Sequence, residues 1–213
     1  MGTTLQETPS GNRLHIGIFG KTNSGKSAFI NAFSGQSVSI VADVKGTTTD
    51  PVYKAMEIAP LGPCVLIDTA GFDDEGELGA MRMEKTALAA QKTELALILF
   101  ASEDMETELE WFRYFQGKKT PVIPVVSKSD LRSEKENQTF AEKLREQTKE
   151  KVCIVSAKTG AGIAELKERM IRMVPEGFGS RTITGDLVSE GDVVFLVMPQ
   201  DIQAPKGRLI LPQ

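Results

Sequence analysis

The sequence is short of the residues from which redox and metal centres are made: it has two cysteines, Cys64 and Cys153, and one histidine, His15. The cysteines lie far apart, each inside an apolar strand-like stretch, which reads as two reduced core thiols rather than a disulfide or a metal site. His15 opens a strand pattern and is read as a packing or edge residue. Aromatic residues make up only 6% of the chain. Trp111 and Tyr114 share one helical pattern with Phe112 and Phe115, so they are assigned to core or ordinary surface. Long hydrophobic runs are missing as well: Leu95 to Ala101 is the longest, far below the roughly 20 residues that span a bilayer. Met1 to Arg13 is polar and lacks the apolar core of a secretion signal. Positive charge is not in excess, since the net charge is −4 and the pI about 5.3. A basic surface for nucleic acid is therefore not expected. These absences predict a cytoplasmic protein with neither a membrane nor a nucleic-acid partner.

What is present is an α/β alternation. With 40% apolar and 25% charged residues among 213, the chain suits one compact domain with an appendage. Apolar runs of strand length alternate with helical patterns, which predicts a mainly parallel sheet. Strands are expected at His15–Phe19, Val52–Ile58, Cys64–Ile67, Leu95–Phe100, Val122–Val126 and Val152–Val155. Val52–Ile58 and Cys64–Ile67, joined by a turn with Pro60, Gly62 and Pro63, form an antiparallel pair. Helices are expected over Ser24–Phe33 and Leu78–Lys92, then from a cap at Asp104 to a stop at Gly117. Ser133-x-x-Glu136 is a capping-box signature for a helix reaching about Gln147, and Gly162–Met173 is the last helix. Residues 36–50 carry no periodicity and are read as a loop. After Pro175 the texture changes to a glycine-rich linker and a β-type tail, Leu187–Met198 and onward. The boundaries expected are a flexible terminus at 1–12, one domain at 13–175, and from 176 a linker and the start of another domain.

Gly20-Lys21-Thr22-Asn23-Ser24-Gly25-Lys26-Ser27 satisfies G-x-x-x-x-G-K-[ST] between a predicted strand and a predicted helix. Glycines there let successive backbone N–H groups face a phosphate, and the new helix points its positive end at the same anion. Ser24, Gly25 and Ala28 belong to this cradle. Lys26 would reach the β- and γ-phosphates, and the Ser27 hydroxyl would bind magnesium. Asp68-Thr69-Ala70-Gly71 ends a buried strand: Asp68 can hold the magnesium through water and the Gly71 N–H can contact the γ-phosphate. Alone this is a common turn, but its place after the second paired strand favours the functional reading. Ser127-Lys128-Ser129-Asp130 ends another strand. The Asp130 carboxylate can accept both guanine N1–H and N2–H, a donor pair that adenine lacks. Lys128 can lay its stem over the purine. In Ser156-Ala157-Lys158 the Ala157 N–H can donate to guanine O6, a reading that rests only on its place in the series.

This series resembles the translation-factor-like small GTPases over about residues 13–175. The resemblance implies a P-loop NTPase, a Ras-like three-layer α/β sandwich with a mainly parallel six-stranded sheet and one antiparallel strand. It implies GTP or GDP as ligand, magnesium as cofactor, and catalytic roles for Lys26, Gly71 and a switch threonine. In Gly46-Thr47-Thr48-Thr49-Asp50 that threonine, a third magnesium ligand, is Thr48, with Thr47 and Thr49 as register alternatives. Asn23 and the G-T-T-T-D segment look like the tRNA-modification and ribosome-assembly branch, in which the residue at Asn23 ligates a potassium ion. The tail, Gly185-Asp186-Leu187-Val188 and Gln203 to Gln213, looks like the GTPase that helps mature FeFe-hydrogenase. In that family it carries the diiron precursor and continues into a dimerisation region and an iron–sulfur domain. The resemblance implies hydrogenase and its maturation proteins as partners and a homodimer through the tail, with no iron–sulfur cluster in these residues.

Two departures from the family pattern stand out. Ser127 replaces the asparagine of N-K-x-D and is too short to make all of its bonds, so lower affinity with preserved guanine selectivity is expected. Phe72 stands where Ras-like proteins place a water-orienting glutamine, so hydrolysis is expected to be slow or otherwise assisted. Asp73, Asp74, Glu75 and Glu77 follow and read as a solvated acidic loop.

Overall fold

The structure is a computed structural model that describes residues 13–35, 40–44, 52–69, 71 and 77–174. The chain divides into two units, Met1–Gly179 and Ser180–Gln213, and all described residues belong to the first. The readings placed on Thr48, Phe72 to Glu75, the linker and the tail lie outside the described residues, as does the terminus at 1–12.

The first unit follows the order β1 (Leu14–Phe19), α1 (Lys26–Gly35), β2 (Ile40–Val44), β3 (Val52–Ile58), β4 (Gly62–Asp68) and α2 (Glu77–Lys92). It continues with β5 (Leu95–Phe100), α3 (Glu106–Gly117), β6 (Val122–Val126), α4 (Glu134–Thr148), β7 (Cys153–Ile154) and α5 (Ile163–Met173). The strands form one sheet in the order β2-β3-β4-β1-β5-β6-β7. Pairings along β4, β1, β5, β6 and β7 are all parallel. Only β3 runs against the rest, paired antiparallel to both β2 and β4.

Among the described residues the sheet therefore has seven strands, not six. The additional strand, β2, falls in the stretch expected to be a loop. Its backbone pairs with β3 through a register shift between Ile40 and Ala42. A five-residue edge strand owes its existence to the ladder offered by β3, a partner that local periodicity does not reveal. Two boundaries moved for similar reasons. Helix α1 starts at Lys26 rather than Ser24 because Gly25 adopts φ +93°, a left-handed conformation incompatible with a helix. At α3 the N-cap position is Met105 without a side-chain cap, while the Asp104 carboxylate accepts from Lys21 Nζ at 2.7 Å. The capping box at α4 is present: Ser133 N–H donates to Glu136 Oε2 at 2.7 Å and Glu136 N–H to Ser133 Oγ at 3.3 Å.

Helices cover both faces, as a mostly parallel sheet requires. On one side Phe29, Ile30 and Phe33 of α1 and Leu166 and Met170 of α5 pack against β1, β4 and β5. On the other, Phe112 and Phe115 of α3 and Phe140 and Leu144 of α4 pack against the alternate residues of β5 and β6. Each of the six side chains of β5 is buried, and burial of such a side chain contributes about 1.5–3 kcal/mol. Trp111, partly buried, stacks on Phe19 at 5.7 Å against the core, and Tyr114 is an exposed neighbour. Cys64 and Cys153 are free and buried, with burial pushing the Cys64 thiol up to about 12. His15 sits at the edge of the core, its Nδ1 3.4 Å from Glu94. No helix among the described residues is long and apolar enough to cross a membrane.

Candidate nucleotide site

The carboxyl ends of β1, β4, β6 and β7 meet on one side of the sheet, where parallel α/β folds place ligands. The loop after β1 turns back on itself: Ser24 N–H donates to Lys21 O at 3.1 Å and Phe29 N–H to Gly25 O at 2.8 Å. Asn23, exposed at the turn, takes φ +60°, a left-handed conformation that asparagine tolerates. Helix α1 has no acidic residue in its first turn, which leaves its N-terminal N–H groups and dipole open to an anion. Lys26 is buried in this loop and its Nζ donates to Gly20 O at 2.9 Å and Lys21 O at 2.8 Å.

The fold brings Ser27 and Asp68 together. The Ser27 hydroxyl donates to Asp68 Oδ2 at 2.8 Å. Burial pushes the Asp68 carboxyl above its usual range, opposed by the Ser27 bond and by the charges of Lys26 and Lys54. A hydroxyl and a partly buried carboxylate in contact are the hard oxygen donors that magnesium prefers. A bound dication would favour the ionised form that burial disfavours, so these residues fit the ion. The following segment is held against the loop. Thr69 Oγ1 donates to Ile18 O at 2.6 Å, and a Cβ added at Gly71 would lie 2.1 Å from Thr22 Oγ1. Only glycine allows that approach.

The base end is a pocket of about 220 Å³. That is smaller than the roughly 300–1,000 Å³ of sites that enclose whole ligands, so it can take one moiety of a nucleotide. Ala28 and Phe29 form one wall, Val155 and Ala157 another, and Asp130 and Lys158 supply charge at the mouth. The Lys128 stem lies over Gly25, where an added Cβ would be 3.6 Å from Lys128 Cε. Asp130 is exposed, and its Oδ1 accepts from the buried Ser156 hydroxyl at 2.6 Å. That bond, foremost, holds the Asp130 carboxyl below its usual range. The carboxylate stays ionised at neutral pH and keeps lone pairs for two further donors.

Ser127 is buried, and its hydroxyl donates to the loop carbonyl Ser24 O at 2.8 Å, with Phe100 O at 3.3 Å. The replacement thus keeps one strap between the base loop and the phosphate loop. Arg132 and Asn137 had no part in the sequence reading, and Lys21 stood there only as a variable position of the phosphate-loop motif. Lys21 ties the phosphate loop to α3 through Asp104 and the buried Glu108, 3.6 Å away. Asn137 carried a visible signal: it occupies the face of α4 that also presents Phe140, Ala141 and Leu144, all buried.

A phosphate cradle, a Ser27–Asp68 pair and an Asp130 pocket on a three-layer sandwich define a P-loop GTPase domain. Residues 15–128 match the sequence profile described as 50S ribosome-binding GTPase, and the chain belongs to that family. Residues 183–213 match the hydrogen maturase F dimerization domain. The chain is 34% identical over 197 residues to GTPase Der of Wolinella succinogenes, covering 86% of this chain and 40% of that protein. It is 31% identical over 166 residues to the tRNA modification GTPase MnmE of Endomicrobium trichonymphae, covering 75% and 35%. It therefore spans well under half the length of these relatives. Among solved structures, Era of Aquifex aeolicus bound to GDP and aluminium fluoride superposes with a TM-score of 0.64 at 26% identity. That match covers 76% of this chain and 57% of the other.

Proposed function

We propose that this chain is a GTP-hydrolysing switch that serves assembly of the FeFe-hydrogenase metallocluster in the cytoplasm, with hydrogenase and its maturation proteins as partners. The observation that carries this reading is the covalent union of a GTPase domain with residues 183–213, which match a hydrogen maturase dimerization domain. Residues 13–175 form the GTPase domain, 1–12 a flexible terminus, and 176–213 a linker and the start of the dimerisation domain, through which two copies associate.

In this reading Asp130 accepts guanine N1–H and N2–H, Lys128 and Ala28 flank the purine, and the Ala157 N–H meets O6 between Ser156 and Lys158. Ser24, Gly25 and Lys26 hold the phosphates. Ser27, Asp68 and, with the γ-phosphate present, Thr48 would hold magnesium, whose charge offsets that on the phosphates. Gly71 contacts the γ-phosphate through its N–H. Asn23 would hold a potassium ion, whose charge would offset that developing on the phosphates as an arginine finger does, and turnover would be slow.

The likeness to MnmE and Der relatives favours a second reading, an RNA-associated GTPase of tRNA modification or ribosome assembly; the net charge of −4 weighs against it. Deletion of the gene in its host, followed by complementation with wild type or Lys26→Ala, separates the two. Hydrogenase activity that is lost and then restored by wild type alone supports maturation. Unchanged hydrogenase activity with defective tRNA modification or ribosome assembly overturns it.

A further inference from the structure

The geometry points to Arg132 as a positioning residue for guanine recognition, one that adds a side-chain tether to the turn beginning at Ser127. It rests on the assignment of Asp130 to the base. Asp130 stands in a short 3-10 turn, Ser129–Leu131, preceded by Lys128 in the left-handed region at φ +55°. Such a turn holds its carboxylate in one place only if its backbone is fixed on both sides.

Arg132 supplies much of that fixing. Its Nη2 donates to Ser127 O at 2.6 Å and its Nη1 to Ala101 O at 3.1 Å. Its Nε donates to Asn137 Oδ1 at 3.2 Å, and the guanidinium lies 4.9 Å from the Phe140 ring centroid. Asn137, oriented by that bond, returns Nδ2 donors to Ser129 O at 2.9 Å and Arg132 O at 3.3 Å. The carbonyls on both sides of Lys128 are thus clamped by one arginine fork and the amide it orients. An asparagine at 127 would bring two amide donors and an acceptor, whereas serine brings one hydroxyl proton. That proton serves the phosphate loop at Ser24 O. Ser127 N–H already donates to Phe100 O at 2.9 Å. The Arg132 fork adds a second tie from the base turn to the end of β5, joining Ser127 O to Ala101 O in a planar two-pronged geometry that lysine does not reproduce.

The test measures GDP and IDP affinities by calorimetry for the 213-residue chain, with melting temperatures alongside. IDP lacks the 2-amino group, so it loses one of the two bonds to Asp130, and wild type should prefer GDP by about tenfold or more. Arg132→Ala should bring the ratio to within about threefold, and Arg132→Lys should reduce it in the same direction. A merely structural role would weaken both nucleotides alike and leave the ratio untouched. Should the alanine variant fail to fold, the lysine variant decides, because it keeps charge and stem but not the fork. A wild-type ratio in Arg132→Lys overturns the inference. Failure of wild type itself to distinguish GDP from IDP sinks the Asp130 assignment first, and the inference with it.

Discussion

At the phosphate end of the site, the partners come from the main chain and one lysine. Gly20 and Lys21 carbonyls receive Lys26 Nζ, Gly25 and Asn23 take left-handed conformations, and α1 starts without an acidic residue. At the base end, side chains do the equivalent work: Ser127 reaches Ser24 O, Ser156 holds Asp130, and Arg132 holds Ser127 O. The difference teaches where substitution is tolerated. A main-chain cradle depends on φ values and close approach, which leave few alternatives to glycine or asparagine. A side-chain clamp can be redistributed: in the role proposed for Arg132, it and Ser127 share the tethering that an asparagine at 127 would supply alone.

Five experiments would sharpen or break that contrast. The largest effect is expected at the cradle. Lys26→Ala should lower single-turnover GTP hydrolysis by about 100- to 1,000-fold, the range for loss of one group that stabilises transition-state charge. A drop under tenfold would remove Lys26 from its role. At the base end, wild type should bind GTP at least about a hundredfold tighter than ATP, about 2.7 kcal/mol, and Asp130→Ala should abolish the preference. Ser156 holds the Asp130 carboxyl below its usual range. A depressed folded-state value means the ionised form persists above it and is lost only as pH falls through it. The guanine preference should therefore be flat from pH 8 to pH 5, and a decline within that window, measured by calorimetry, would contradict the geometry.

A smaller effect is expected from the monovalent cation: hydrolysis in potassium chloride should exceed that in sodium chloride at matched ionic strength by at least about tenfold. Asn23→Ala should erase the difference, and equal rates in the two salts would remove the cation. The smallest effect is at the strap. Ser127→Ala should weaken GDP by a few-fold, the contribution of about 0.5–1.5 kcal/mol from one hydrogen bond. It should not change the ratio of GTP to ATP affinity, because the Ser127 hydroxyl bonds the phosphate loop and not the base. A changed ratio would show that the two ends are not separable.

Much of the architecture was readable because the central strands are hydrophobic runs bounded by turn residues. Val52–Ile58 and Leu95–Phe100 fall where the pattern put them. The capping box at Ser133 and Glu136 was readable because its two bonds are local, three residues apart. Edge strand β2 was not, since it exists by pairing with β3. Arg132 also gave no signal: Ser127 and Asn137 are only five residues away, but Ala101 is 31 residues away, and only folding brings it within reach of the guanidinium.

The sequence by itself determined the chemistry available: a glycine-spaced loop before a helix, and oxygen donors and carboxylates in a fixed order after buried strands. Those features are local, set by φ preferences and by where an apolar run ends. The tertiary structure alone decided which of these groups touch. Parallel pairing of β4 with β1 places Asp68 beside Ser27, and the pairing of β6 with β5 and β7 places Asp130 beside Ser156. These contacts join residues 41 and 26 positions apart, and closing such loops is favourable only because the core between the two helical layers is buried with them.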